Sequence, residues 1–221
     1  MKKIVKDSSF TILGDLCQGI HSYRSLKSWE ELTTGVFADR RTQLLTLEQS
    51  YRTTIEIMDA ANRIAEKMAL PNVPKARPVL RHGEPVRFIK DSSYAEREES
   101  IAGRIEELLE KGLELIAVIA KTAEESELLH YGLRRKIPDI TLITGAEGEY
   151  KGGVMVVPAH LAKGLEFDAV ILSDVSSGKY SLSDMDAKLL YVAMTRAMHI
   201  MDIHYMSKIS PLLEGSTSVE I

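Results

Sequence analysis

Residues 189–197, Leu-Leu-Tyr-Val-Ala-Met-Thr-Arg-Ala, place an arginine where packing does not explain it. Upstream, Ser183-Asp184-Met185-Asp186 reads as a capping box that opens a helix. At helical period Leu189, Leu190, Val192, Ala193, Met194 and Ala197 share one broad apolar arc, and Arg196 falls inside it. Lys188, Tyr191 and Thr195 take the opposite side. A guanidinium on a buried face needs an anionic partner, because an unpaired buried charge is very costly. That partner is either a protein carboxylate or a group belonging to a ligand.

Three further stretches concentrate polar groups at the ends of apolar runs. In Phe-Thr-Ile-Leu-Gly-Asp-Leu-Cys-Gln-Gly-Ile-His-Ser-Tyr-Arg-Ser, residues 10–25, a strand ends in Gly14-Asp15 and a loop carries Gln18, Tyr23 and Arg24. Taken alone this is equally a strand followed by a polar turn. Tyr51 and Arg52 stand just before a helix, where an aromatic packing on the core and a solvated arginine would look the same. Residues 156–172, Val-Val-Pro-Ala-His-Leu-Ala-Lys-Gly-Leu-Glu-Phe-Asp-Ala-Val-Ile-Leu, put His160, Lys163, Gly164 and Glu166 in a turn between two buried strands. Polar residues so concentrated between buried strands are harder to assign to packing.

The elements that must hold these groups alternate along the chain. Strands are expected at 10–13, 43–47, 86–89, 115–120, 140–143, 154–157 and 169–172. Helices are expected at 53–68, 94–111 and 123–135, besides the one opened at Ser183. The 53–68 helix places Ile55, Met58, Ala61, Asn62 and Ala65 on one face. Continuous apolar runs such as Leu115-Ile116-Ala117-Val118-Ile119-Ala120 suit a parallel sheet covered on both faces. Alternation with helices gives a doubly wound α/β fold, whose ligands are expected at the carboxyl ends of the strands. The tail after Pro211 is expected to fray.

Composition narrows the partners. The chain has 221 residues and a formal net charge of −4, which argues against a uniformly basic nucleic-acid coat but leaves room for a local basic groove. One cysteine, Cys17, excludes an internal disulfide framework and suits a reducing cytoplasm. No apolar run approaches membrane-spanning length, and nothing after Met1-Lys2-Lys3 forms the apolar core of a secretory leader. Six scattered histidines and no Cys/His cluster give no metal site.

In this order the four stretches resemble motifs III, IV, V and VI of the superfamily 1 DNA helicases of the UvrD/Rep/PcrA type. Ala-Lys-Gly-Leu-Glu-Phe-Asp-Ala-Val-Ile-Leu and Leu-Leu-Tyr-Val-Ala-Met-Thr-Arg-Ala carry the resemblance most specifically. It implies a RecA-like fold, a mostly parallel sheet with helices on both faces, and it implies roles residue by residue. Gln18 corresponds to the glutamine that senses the γ-phosphate. Tyr51 corresponds to the tyrosine that packs on the nucleotide base. Arg52 and Arg196 match the two arginines that reach the γ-phosphate across a domain cleft. Gly164 and Glu166 match the nucleotide-contacting part of motif V, with Glu166 towards the ribose. Tyr23, Arg24 and His160 fall on the nucleic-acid side. On this reading Arg196 faces inwards because its partner is a phosphate, with a neighbouring carboxylate as the alternative.

Parts of the family pattern are missing. No G-x-x-x-x-G-K-[ST] phosphate loop occurs: Gly178-Lys179 is followed by Tyr180, and Ser173 stands where the first glycine would be. The family's Asp-Glu pair for Mg²⁺ is absent too, and Asp174 reads as a loop residue. In the family those parts precede motif III. The resemblance therefore implies that residues 1–40 are the end of the first RecA-like domain (1A), and that residues 41–221 are the second (2A). ATP with Mg²⁺ would be held mainly by the P-loop half, in cis or in trans, and single-stranded DNA would be the polymer partner. Ser50, Pro158 and Met198 depart from residues common in the motifs, which bears on the details of DNA contact.

About a hundred residues separate Arg52 from His160, too few for the large 2B insertion of UvrD, Rep and PcrA. That shortness resembles the HelD (helicase IV-like) branch. The branch brings a competing expectation, a module that docks on RNA polymerase or another protein without motor activity of its own. A remnant with no activity is the third reading.

Overall fold

The computed structural model describes residues 9–20, 26, 28–39, 41–68, 75–78, 81–145 and 152–215. Its centre is a six-stranded sheet. Named in chain order after a short pair β1 (Gln49–Ser50) and β2 (Arg77–Pro78), the strands are β3 (Arg87–Lys90), β4 (Leu115–Ala120), β5 (Thr141–Leu142), β6 (Gly153–Pro158), β7 (Phe167–Leu172) and β8 (Ala197–Tyr205). They lie in the order β3-β8-β7-β4-β6-β5, and every neighbouring pair is parallel. Among the described residues four α-helices complete the fold: α1 (Ile55–Glu66), α2 (Tyr94–Glu110), α3 (Ala123–Leu133) and α4 (Asp184–Met194).

Alternate side chains of each central strand serve opposite layers. Ile116, Val118 and Ala120 of β4 join α2 and α3 in one core, while Ala117 and Ile119 join α1 and α4 in the other. That two-sided demand is why the strand is apolar at every position. Amphipathic α1 turns Ile57, Ala61 and Ile64 fully inwards; the buried face shares Met58 and Ala61 with the one its sequence pattern suggested and is shifted from it by about a quarter turn.

Ser183 caps α4 as its sequence predicts, its hydroxyl accepting from the Asp186 amide at 3.1 Å. The helix then stops sooner than expected. The Thr195 hydroxyl folds back onto the carbonyls of Tyr191 (2.9 Å) and Val192 (3.1 Å), and Ala197 opens β8. Arg196 therefore sits in the turn between helix and strand, not on a helical face. Nor does α4 have a wet side: Lys188, Tyr191 and Thr195 are buried, because the segment around Leu16–Gln18 packs over it.

Two expected strands, 10–13 and 43–47, form no regular structure, and Leu13, Leu45 and Leu47 are exposed. An extended apolar segment needs a neighbouring strand for its backbone groups, and among the described residues neither segment pairs with the sheet. Of the tail expected to fray, residues 216–221 lie outside the described residues, while the stretch just after Pro211 packs. Leu212 and Leu213 are fully buried, and the Lys67 ammonium donates to the carbonyls of Pro211 (2.7 Å) and Leu212 (3.0 Å).

Candidate functional site

Topology decides which edge of the sheet carries each residue. Glu166 immediately precedes β7 and Arg196 immediately precedes β8, so both stand at the amino edge of a parallel sheet. The expectation that the chemistry collects at the carboxyl ends is corrected for these residues. His160 alone among the described candidates lies at the carboxyl edge, exposed on a short 3-10 turn after β6. The chain between them is only eight residues, 159–166, and it returns from one edge of the sheet to the other. Gly164 lies in that return with φ +90, a conformation that an L side chain rarely adopts.

Most of the expected nucleotide residues meet at the amino edge. A cleft of about 580 Å³ is lined by Gln18, Tyr51, Arg52, Arg81, Glu166 and Thr195 among others. Tyr51 stands at its rim, 71% exposed. Arg52 is held by Glu166: its Nε donates to Glu166 Oε1 at 2.6 Å, and its Nη2 lies 2.6 Å from the same oxygen. Gln18 closes another wall, its side-chain amide donating to Asp15 Oδ2 at 2.7 Å while its backbone carbonyl accepts from Lys163 Nζ at 2.9 Å. Tyr23 and Arg24 lie outside the described residues.

Arg196 lies beneath Thr195 and is only 2% exposed. Its Nε donates to the Val192 carbonyl at 3.0 Å, Nη2 to Thr195 Oγ1 at 3.0 Å and Nη1 to the Leu165 carbonyl at 3.4 Å. Among the described residues it forms no ion pair, so the neighbouring-carboxylate explanation of its position finds no support. Burial, reinforced by repulsion from Arg52, lowers its pKa to about 10, with Glu166 and Asp15 opposing the shift. Arg52 is thus near enough to Arg196 for their charges to repel, and Thr195, which accepts from Arg196, lines the same cleft as Arg52.

A polyphosphate suits this donor set. A buried guanidinium, a half-exposed one and an aromatic rim offer charge and stacking to a nucleotide. Divalent metal is another matter. Among the described residues no three His, Cys, Asp or Glu side chains gather in a way that could hold an ion. Asp174 serves its own loop, its Oδ1 accepting from the Ser176 amide at 3.0 Å. Sequence reasoning missed Arg81 and Asp15 in the cleft. Arg81 belongs to no motif, and only the fold of the 81–83 turn onto α1 brings it there.

Residues 153–200 match the family model of the UvrD-like helicase C-terminal domain. This segment carries the UvrD-like helicase signature. It runs from β6 into β8 and contains His160, Gly164, Glu166 and Arg196. Over 76% of its length the chain is similar to the C-terminal domain of a possible DNA helicase from Lactobacillus plantarum WCFS1, with 29% identity, a TM-score of 0.61 and 95% of that chain covered. The C-terminal domain of the DEAD-box protein Dbp5 is matched at 9% identity and TM-score 0.41, over 59% of this chain and 79% of that one. The helicase nsp10 of PRRSV is matched at 8% and 0.40, over 58% and 29%. No curated protein sequence matches the chain.

The motif resemblance thus agrees with both the family model and a solved helicase C-terminal domain, and the mostly parallel sheet is that fold. Neither comparison names the HelD branch. Among the described residues no helix is long and apolar enough to cross a membrane.

Proposed function

We propose that this UvrD-like domain is the C-terminal part of an ATP-dependent DNA helicase or translocase, and that it supplies charge to a nucleotide held mainly by a P-loop domain. One arrangement carries the reading: a fully buried Arg196 behind a cleft whose wall presents Arg52, Glu166, Gln18 and Tyr51. Phosphoryl transfer depends on positioning and on neutralising charge that develops on the phosphate oxygens. An arginine supplied across a domain interface is worth roughly 10³ to 10⁵ in rate. Arg196 is held in place by the Val192 and Leu165 carbonyls and the Thr195 hydroxyl, and acting this way exchanges some of those bonds for phosphate oxygens.

In this reading Tyr51 packs on the base, Arg52 and Arg196 face the terminal phosphate, and Glu166 with Gly164 borders the ribose. ATP with Mg²⁺ rests mainly on the P-loop half, and residues 1–40 are the end of that half's domain. Single-stranded DNA crosses the opposite edge of the sheet, where His160 is exposed, and the motif resemblance assigns Tyr23 and Arg24 to the same polymer. The eight-residue return 159–166 then joins polymer to nucleotide. The cytoplasm is the compartment that this chemistry implies.

The test is single-strand-stimulated ATP hydrolysis, measured on the chain alone and mixed with a separately made P-loop half. Hydrolysis only in the mixture, lost on Arg196→Ala, is the expected result. Inactivity of the mixture with both halves folded and associated overturns the motor reading and favours a docking role.

A further inference from the structure

Arg81 touches both arginine-bearing segments of the cleft. Its Nη2 donates to the carbonyl of Arg52 at 2.7 Å and to the carbonyl of Met198 at 2.6 Å. Met198 lies two residues beyond Arg196, on the opening turns of β8. One nitrogen thereby ties the loop that carries Arg52 to the strand that begins beside Arg196.

The backbone of Arg81 is anchored as firmly as its side chain. Helix α1 begins at Thr54 with no side-chain cap, and its first amide, Ile55 N, donates instead to the Arg81 carbonyl at 3.1 Å. Next door, Glu56 accepts from the Gly83 amide at 2.9 Å and pairs with His82 Nδ1 at 2.9 Å. Gly83 lies so close that a Cβ there would meet the Thr54 side chain at 2.5 Å. The 81–83 turn therefore fits α1 in one way, and it delivers a guanidinium with its Nε buried and without a hydrogen-bond partner among the described residues. A buried donor left unmatched costs stability, which makes packing alone a poor reason for an arginine at this position.

We infer that Arg81 is a positioning residue that sets the separation between Arg52 and Arg196, so that both guanidiniums address one polyphosphate. The inference rests on the nucleotide-cleft reading. It differs from that reading in one checkable respect, because the geometry it describes exists in the chain without any nucleotide.

The decisive experiment follows the arginine Nε–H signals of this 221-residue chain, labelled with ¹⁵N-arginine, in the wild type, Arg81→Met and Arg81→Lys. Arg196 and Arg52 signals are assigned by Arg196→Lys and Arg52→Lys. Arg81→Met should shift or broaden both signals while leaving that of Arg104, on the far layer, unchanged. Arg81→Lys, whose ammonium can still bridge two carbonyls, should restore them. In the mixture with a P-loop half, Arg81→Met should lower kcat at least tenfold and KM for ATP by less than threefold, with rescue by lysine. Unmoved Arg52 and Arg196 signals in Arg81→Met overturn the positioning role whether or not the mixture hydrolyses ATP. Moved signals beside an inactive wild-type mixture uphold the positioning role and overturn the motor reading. Should the methionine variant fail to fold, Arg81→Gln, which keeps one amide donor, is judged by the same signals.

Discussion

Arg52 and Glu166, 114 positions apart, are joined through a single carboxylate oxygen at 2.6 Å. Both were singled out for the same nucleotide, one for its phosphate and one for its ribose. In the chain they hold each other. Glu166 also lies near enough to Arg196 to favour its charged form. It is the ion-pair partner of Arg52 and acts on Arg196 only through space, so a polyphosphate would compete with it for Arg52 directly and for Arg196 through charge alone.

That competition predicts the behaviour of Glu166→Gln. Both side chains are nearly half exposed, 39% for Arg52 and 46% for Glu166, so losing the pair should change folding stability by less than about 1 kcal/mol. Inorganic triphosphate, which has no ribose, should bind the variant more tightly because its rival is gone. ATP should lose its advantage over triphosphate. Calorimetric titration of each anion measures this, and equal weakening of both would show that Glu166 does not compete for the arginines.

Arg196 predicts a conflict between stability and function. A base whose folded pKa, about 10, lies below its unfolded value makes stability rise with pH between the two values. At neutral pH the cost of burying the charge is therefore fully present, on the order of 3 kcal/mol from the size of the shift. Arg196→Met removes that cost and fills similar space, though it leaves two carbonyls short of a donor. The variant should be no less stable than the wild type, with a denaturant midpoint equal or higher. A fall of more than about 2 kcal/mol would mean that Arg196 is a structural keystone. Its functional assignment would then lose its physical motive.

Motifs were legible because they are local, and the cleft was not because it is made by topology. Leu115 to Ala120 announces a doubly covered strand through its own composition, and Ser183 announces α4 through its hydroxyl. Arg196 was visible as a charge on an apolar stretch. Its turn was not, since the Thr195 hydroxyl that ends α4 looks the same in sequence as one on a helical surface. β8 was hidden for a related reason: Met201 and Asp202 are both buried, so no alternation of apolar and polar residues marks a strand inside the sheet. Residues 10–13 read as a strand on composition, yet composition cannot supply the neighbour that a strand requires. Arg81 had no local signal at all, because its partners lie 29 and 117 positions away.

The far end of α4 yields a prediction about acid. Asp186 accepts from the Ser181 amide at 2.9 Å and the Ser181 hydroxyl at 2.8 Å, and Lys121 Nζ lies 2.6 Å from its other oxygen. Burial pushes its pKa up, but Lys121 and the Ser181 donors outweigh burial, so the net shift is downward. A carboxylate with a depressed folded pKa contributes stability that is fully present above its unfolded value, about pH 4. That contribution is lost as pH falls through the folded value. These bonds fix the first turn of α4 to the end of β4, and the rigid helix carries that constraint down to Thr195 and Arg196 at the other edge of the sheet. Asp186→Asn should cost about 1 to 3 kcal/mol at neutral pH, since it leaves the Lys121 ammonium short of a counter-charge. It should also flatten the loss of stability below pH 4. Urea midpoints measured across that range for both proteins decide the matter: parallel acid slopes would remove Asp186 from the groups that hold α4 in place.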